Sequence, residues 1–599
     1  MITSNDDHAL NQPQADICFL LRLSREVLVE ILKRFEWKDV LAIRQCSRLL
    51  YSVSKERKVW VSILENDLDT RIPRPFYLPK PLAHCSSEDL EKRVVDWYLG
   101  WGRFGSSAGG MDSNTGPVLS DPTTNVDSNS NTHEKSVGSP GPDRKATATL
   151  NTGACAFDSD EIPVLCGPLL PLPTNQYFLY SDLEDGAVYY GDPRRPESGV
   201  SMLVPSPFPD LFPDLDGDED IVTSVSIDVL GGAAGAEGLE VDNRERDLVL
   251  NLDESTFPTT FRLMVSNYVE LDIDHPDVLL AEDNPTPLVI EVWEISSQVA
   301  DDTGVVTGYS ARRLRRLMDN KVATPVNGIS ILGKYVAYSE SWNPVITIVD
   351  WTLADDDGPG GKDDDDIPKL GRMYVPAKQY SEHLFLLPNK KILTYSTMAG
   401  VHVWDWEGTC VTATSRYEVV ESGVPSIPLW TCPERITDPL HPFAAPFVLR
   451  GCTRFILPFD DHVIGLSIQP GSGGDGEENA RGCRITATNL VDRFPPSDLD
   501  TRGCWFGYSK GMSYQSDDGS YECVTYKWPR LGDDEEEGDE ESHGDEELPQ
   551  PPSVKVSPRH HFANFGISHV YYDDLQRQFL GLSETEDGKP AAGCVVMYG

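Results

Sequence analysis

The acids of Asp214-Leu215-Asp216-Gly217-Asp218 alternate along the chain, a spacing that could wrap carboxylate oxygens around calcium. Gly217 follows only two alternate acids, no glutamate closes the far end, and Pro213 precedes the run. An acidic surface loop is therefore the stronger reading. His560-His561, beside Arg559, offers two imidazoles, but neighbours on a strand point to opposite faces and do not share one metal. The twelve cysteines are scattered, with no CxxC pair and no zinc-spaced Cys/His cluster, which points to reduced thiols. No HExxH or Walker-type GxxxxGK[ST] motif occurs. The 96 Asp and Glu could supply a carboxylate pair for hydrolysis, yet their abundance singles out none. No catalytic residue, metal or cofactor is expected.

The informative constellation is of another kind. In LSREVLVEILKRFEWKDVLAIRQCSRLLYSVSKERKVW, Leu23 to Trp60, the residues Val27, Leu28, Ile31, Leu32 and Phe35 recur at helical spacing. Ser24 stands at a helix start and Glu26 in the first turn, where the helix dipole favours an acid. After EWKD breaks the period, Asp39 is placed to cap a short second helix carrying Val40, Leu41 and Ile43. Leu49, Leu50 and Val53 mark a third segment, and Val59, Trp60, Ile63 and Leu64 a fourth. Helices this short need one another or a partner. Beyond the Pro-rich RIPRPFYLPKP, SSEDLEKRVVDWYLGW reads as another helix. Ser86 or Ser87 can cap it, Asp89 has capping-box spacing from Ser86, and Leu90, Val94, Trp97, Tyr98 and Trp101 share one face.

Charge separates this head from the rest of the chain. Arg22 to Trp60 holds ten Lys/Arg against five Asp/Glu, a net of +5, whereas the chain beyond Trp60 holds 41 against 88, a net of −47. A total of −45 argues against non-specific binding to nucleic acid or anionic membranes, and a basic head suggests an acidic partner. The polar, acidic MITSNDDHALNQ has no signal-peptide character, and no run approaches the ~18 apolar residues of a membrane span. Cytoplasm or nucleus, or both, is the expected location.

The body reads as short strands divided by turns. An apolar strand phrase ending near Trp, Tyr or Asp returns as GAVYYGD (from Gly186), LVIEVWEI (Leu288), VITIVDWT (Val345), GVHVWDWEG (Gly400), CVTYKW (Cys523) and CVVMYG (Cys594). GKYVAYSE precedes the third phrase and NKKILTYST the fourth, and the second to fourth phrases are spaced near 55 residues apart. A degenerate strand-cluster repeat of this length suggests a β-propeller, with a β-sandwich array as the other possibility. The expected fold class is thus a multidomain α plus all-β chain. It comprises a helical domain over 17–67, a helical connector over 68–104, a flexible low-complexity linker over 105–160, and a propeller-like domain over 161–599. Acidic insertions fall near 354–366 and 533–547, the latter with eleven acids in fifteen positions.

The order Leu23-x-x-Glu26-Val27-Leu28, Ile31-Leu32, Phe35, Asp39-Val40-Leu41, Arg44, Cys46-Ser47 and Trp60 resembles an F-box. It departs by Ser24 where Pro is usual, by Val40 at a common Leu position and by Cys46-Ser47 at a Val-Cys-like step. Ser and Pro both suit a helix start, one by capping and the other by fixing φ. The match covers about 40 residues at motif level. The helix-then-strands architecture is similar to fungal F-box proteins with a divergent propeller. The resemblance implies docking on the acidic adaptor of the SCF (Skp–cullin–F-box) ubiquitin ligase, and through it on cullin. It also implies an adaptor-binding set of Leu23, Ser24, Val27, Leu28, Ile31, Leu32, Leu41, Cys46 and Trp60. In that set Leu23, Val27, Leu28, Ile31, Leu41 and Trp60 would form the inserted apolar surface. The implied function is substrate recognition for ubiquitination, with an unknown protein target, no catalytic residue of its own, and no nucleic acid or membrane partner. A non-proteolytic F-box scaffold is the alternative, and a propeller hydrolase the less favoured one.

Overall fold

The computed structural model describes residues 19–99 and, apart from several loop segments, 165–598. Four helices build the head: α1 (Arg25–Leu32), α2 (Trp37–Ile43), α3 (Arg48–Ser54) and α4 (Arg57–Asp67). Ser24 is the N-cap of α1, with extended φ/ψ and its hydroxyl facing the Val27 amide at 3.5 Å. Ser47 caps α3 the same way at 3.1 Å. Asp39 does not cap α2. The helix starts two residues earlier at Trp37, which puts Glu36 at the N-cap and Asp39 in the first turn.

α5 (Ser87–Leu99) follows, opened by a reciprocal capping box. The Asp89 amide donates to the Ser86 hydroxyl at 3.1 Å and the Ser86 amide to the Asp89 carboxylate at 2.8 Å. Head and connector share one hydrophobic core. Leu28, Leu32, Trp37, Val40, Leu50, Val53, Trp60 and Ile63 pack in the same cluster as Ile72, Phe76, Leu78, Leu90 and Val94. The small core is completed by the chain's own next segment.

Among the described residues from 165 onward, the chain runs through seven antiparallel sheets. They occupy residues 165–204, 221–319, 326–376, 383–432, 447–491, 502–561 and 567–598. The first five are four-stranded meanders of consecutive strands, the sixth adds a short fifth strand, and the seventh has three. All six recurring phrases occupy the third strand of their sheet: Val188–Gly191, Leu288–Val299, Val345–Asp350, Gly400–Asp405, Ser520–Thr525 and Pro590–Tyr598. The fifth sheet escapes the pattern because its third strand, VIGLSIQP, ends without Trp, Tyr or Asp.

Each sheet packs on the next. Separate apolar cores lie between the first and second, second and third, third and fourth, fourth and fifth, and fifth and sixth sheets. First strands touch in the second, third and fourth sheets, and again in the sixth and seventh. The body is β-propeller-like, with the first strands of the second, third, fourth, sixth and seventh sheets on the inner side.

The head is fastened to one face of this body. Arg74 pairs antiparallel with Val448 in the fifth sheet through amide–carbonyl bonds of 2.8 and 2.9 Å. The Arg450 amide donates to the Asp69 carbonyl, and a two-pronged Arg74–Asp69 ion pair at 2.6 and 2.5 Å stiffens the joining loop. On the second sheet, the Leu78 amide donates to the Thr256 carbonyl at 2.7 Å, and His84 lies so close to Gly304 that a Cβ there would meet it at 2.7 Å. Trp97 of α5 stacks on Tyr508 of the sixth sheet at 6.0 Å and meets Phe76 edge-on at 5.7 Å.

Thr256, Arg450 and Tyr508 lie in connections between first and second strands, and Gly304 in one between third and fourth strands. In a meander these connections share one face. The second and fifth sheets stand three steps apart in a succession of seven, so the head lies across that face. Trp97→Ala is expected to weaken the attachment by about 2 kcal/mol, as aromatic stacking and buried area are lost. Faster hydrogen exchange at the Arg74–Val448 pairing, with the sheets' own protection unchanged, is the measurement.

Candidate functional site

With no cluster of three or more His, Cys, Asp or Glu side chains able to hold a metal among the described residues, the head's outer surface is the strongest candidate site. α1 and α3 pack together through Leu28, Val29, Leu32, Leu50 and Val53. The large apolar side chains they leave outside are Val27 (45% exposed), Leu49 (38%) and Tyr51 (51%). Arg34, Arg48 and Lys58 are exposed on the same module and pair with no acid among the described residues, while Arg25 is held by Glu56. Exposed apolar side chains on a module that also carries unpaired cations suit a partner with apolar pockets and acidic borders.

The structure divides the nine residues expected at the adaptor surface. Val27, Ser24 and Cys46 are exposed, and Leu23, Ile31 and Leu41 are half-buried. Leu28, Leu32 and Trp60, at 1%, 2% and 0% exposure, pack in the head's own core. Their helices are too short to stand without packing on each other, so the most apolar stripe turns inward. Trp60 also donates its indole N–H to the Ser54 carbonyl at 2.9 Å. Leu49, which periodicity assigned to the third helix without saying which side faced solvent, points outward, as does Tyr51, which the pattern did not single out.

Electrostatics bind the connector to this module. The Glu91 carboxylate of α5 takes two bonds from Arg44, at 2.6 and 3.0 Å, and one from Lys55 at 3.0 Å. Burial pushes its pKa up, but the hydrogen bonds and charges of Arg44 and Lys55 outweigh that and hold it below its ordinary 4.5. Arg44 also donates to the Ser54 hydroxyl at 2.9 Å. At the far end of α5, Tyr98 stacks on Trp37 at 5.2 Å above the buried Asp67, whose carboxyl is pushed up by burial. Burial likewise raises the Cys85 thiol to about 11, which leaves it inert.

Other motifs carry no assembled chemistry. His560-His561 forms a two-residue strand beside the third strand of the sixth sheet. Residues 214–220, 105–160, 354–366 and 533–547 lie outside the described residues, as does the GSSAG run at 105–109, whose spacing is that of a nucleophile elbow. The glycine-rich GSGGDG after Pro470 joins two antiparallel strands, and a strand, not a phosphate-binding helix, follows it at Cys483. Cys46, Cys85, Cys410, Cys432, Cys452 and Cys483 are free thiols, and no described helix is long and apolar enough to cross a membrane.

Residues 20–62 match the F-box domain family. The chain carries an F-box. The matched span runs from just before α1 to within α4, so the F-box ends before the connector that completes its core. No curated protein matches the chain. Among solved structures, the β-propeller domain of Myceliophteria thermophila Cps50 (Swd1) is similar at 10% identity and a TM-score of 0.35, covering 72% of this chain and 95% of its own. The propeller-like assignment rests on the sheet order and the cores between sheets. An F-box match over residues 20–62 is thus followed by a propeller-like region.

Proposed function

We propose that this protein is the substrate-recognition subunit of an SCF-type ubiquitin ligase. Its F-box binds the adaptor, and through it cullin, while its propeller holds a target protein. The observation that carries this reading is an F-box whose remaining outer surface is apolar and cationic while its connector is spent on internal packing. The chain contributes no catalytic residue. Holding a target lysine near a charged ubiquitin carrier raises its effective concentration, and the carrier performs the chemistry.

The head covers the face built from first-to-second and third-to-fourth connections, which leaves the opposite face for the target. The chain beyond Trp60 carries a net charge of −47. A basic target segment fits that charge.

Val27→Asp with Leu49→Asp places two charges on the outer surface without touching the core. Adaptor affinity is expected to fall at least about tenfold, the loss of a hot-spot pair, with an unchanged melting temperature. Purified adaptor binding both forms equally, or neither form, would sink the adaptor assignment. With adaptor bound, reconstitution with cullin and carrier enzyme reads the output: ubiquitin chains on a bound protein support receptor function, and none means a scaffold role instead.

A further inference from the structure

The third and fourth strands of the sixth sheet, Ser520–Thr525 and Lys555–Val556, are joined by residues 526–554. Third-to-fourth connections lie on the face that the head crosses, so this one begins and ends there. Its stretch 533–547 holds eleven acids in fifteen positions and no Lys or Arg.

The start of the connection is pinned beside the head. The Trp528 indole donates to the Tyr508 carbonyl at 2.5 Å and stacks on the Tyr508 ring at 5.7 Å. Arg454 of the fifth sheet lies over the same indole at 4.8 Å, and its Nη2 donates to the Pro529 carbonyl at 2.7 Å. Gly465 leaves the room for this ring, since a Cβ there would meet it at 2.5 Å. Tyr508 is also the ring on which Trp97 of α5 stacks at 6.0 Å. Two ring contacts thus separate Trp528 from the connector helix. Pro529, the next residue, is exposed.

The head presents the complementary charge. Arg34, Arg48 and Lys58 are exposed and pair with no acid among the described residues, in a module whose net charge is +5 over Arg22 to Trp60. Residues 530–554 have a contour of about 85 Å, so their midpoint reaches about 40 Å from its mounts. A unit of about eighty residues is about 30 Å across. The acids can therefore reach the outer surface of the F-box. The other acidic connection, 354–366, belongs to the third sheet, whereas the head's contacts described above fall on the second, fifth and sixth.

We propose that the acidic connection 530–554 docks on the cationic outer face of the F-box and competes there with the acidic adaptor. Being part of the same chain gives the segment an effective concentration on the order of millimolar. Several exposed ion pairs, each weak alone, then hold it together, and salt releases it. The competition rests on the adaptor reading above; the docking itself does not.

Zero-length carbodiimide coupling of the full chain, in dilute solution and without adaptor, reads the docking. It links a carboxylate to an amine where the two are in contact. Mass spectrometry is expected to find Lys58 joined to acids of 533–547, at least about fivefold less in roughly 0.5 M salt. Arg48→Ser leaves Lys58 in place and is expected to lower the same coupling. Replacing the eleven acids by Asn and Gln touches no described residue. That variant is expected to bind purified adaptor about tenfold more tightly than the wild type, with the gap shrinking as salt rises. No coupling of Lys58 to 533–547, coupling to 354–366 instead, or equal adaptor affinity of the two forms overturns the proposal. If neither form binds adaptor, the ligase reading falls and the competition with it, and the coupling result alone decides the docking.

Discussion

Trp60→Ala is expected to unfold the F-box and its connector while leaving the propeller standing. Trp60 is fully buried between α3, α4 and the connector, and its indole is the donor to the Ser54 carbonyl. Removing a buried Trp costs about 3–5 kcal/mol in transfer and cavity terms, and an orphaned carbonyl adds to that. A unit of about eighty residues has roughly 4–12 kcal/mol in total, so most of its stability goes. Calorimetry should show a helical transition moved far down and the sheet transition in place, with adaptor binding lost. A variant that keeps wild-type hydrogen-exchange protection in α4 would mean that the core does not depend on this residue.

Glu91→Gln has the second-largest expected effect. Glu91 is the single carboxylate between Arg44 and Lys55, and both cations lose their partner when it is neutralised. Breaking a fully buried pair costs about 3–5 kcal/mol; with the Glu91 and Arg44 side chains 15% and 12% exposed, about 2–3 kcal/mol is expected. The pH dependence is set by the direction of the shift. Glu91 is held below its ordinary value in the folded state, so its contribution is complete above pH 4.5 and is lost as pH falls through the lower folded value. The difference between wild type and Glu91→Gln should be constant from neutrality down to about pH 5 and then shrink in acid. Denaturant midpoints of the helical transition measured across that range are the test. A difference that grows as pH falls would contradict the ion-pair assignment.

Both predictions concern the seam between F-box and connector, which the sequence divides and the structure joins. Helical period placed Leu28, Leu32 and Trp60 on apolar stripes, and it could not say whether a stripe meets a partner or its neighbours. That depends on packing between segments tens of residues apart, as in the single core that holds Trp60, Phe76 and Val94. Local chemistry was more legible. Ser24 and the Ser86–Asp89 box cap helices because their partners lie within three residues. Asp39 was misplaced because helix starts shift by a residue or two with little local cost.

The recurring Trp/Tyr/Asp phrase marked six of seven sheets because a third strand lies inside its sheet and can be covered on both faces, as Val345–Asp350 is along its whole length. By itself, then, the sequence determined a basic F-box head, its caps, and an acidic body of repeated strand clusters, since periodicity, charge and capping act over a few residues. The tertiary structure alone decided which apolar residues remain outside and that the head lies across one propeller face. Those outcomes are set by sheet register and long-range packing, and no local spacing encodes them.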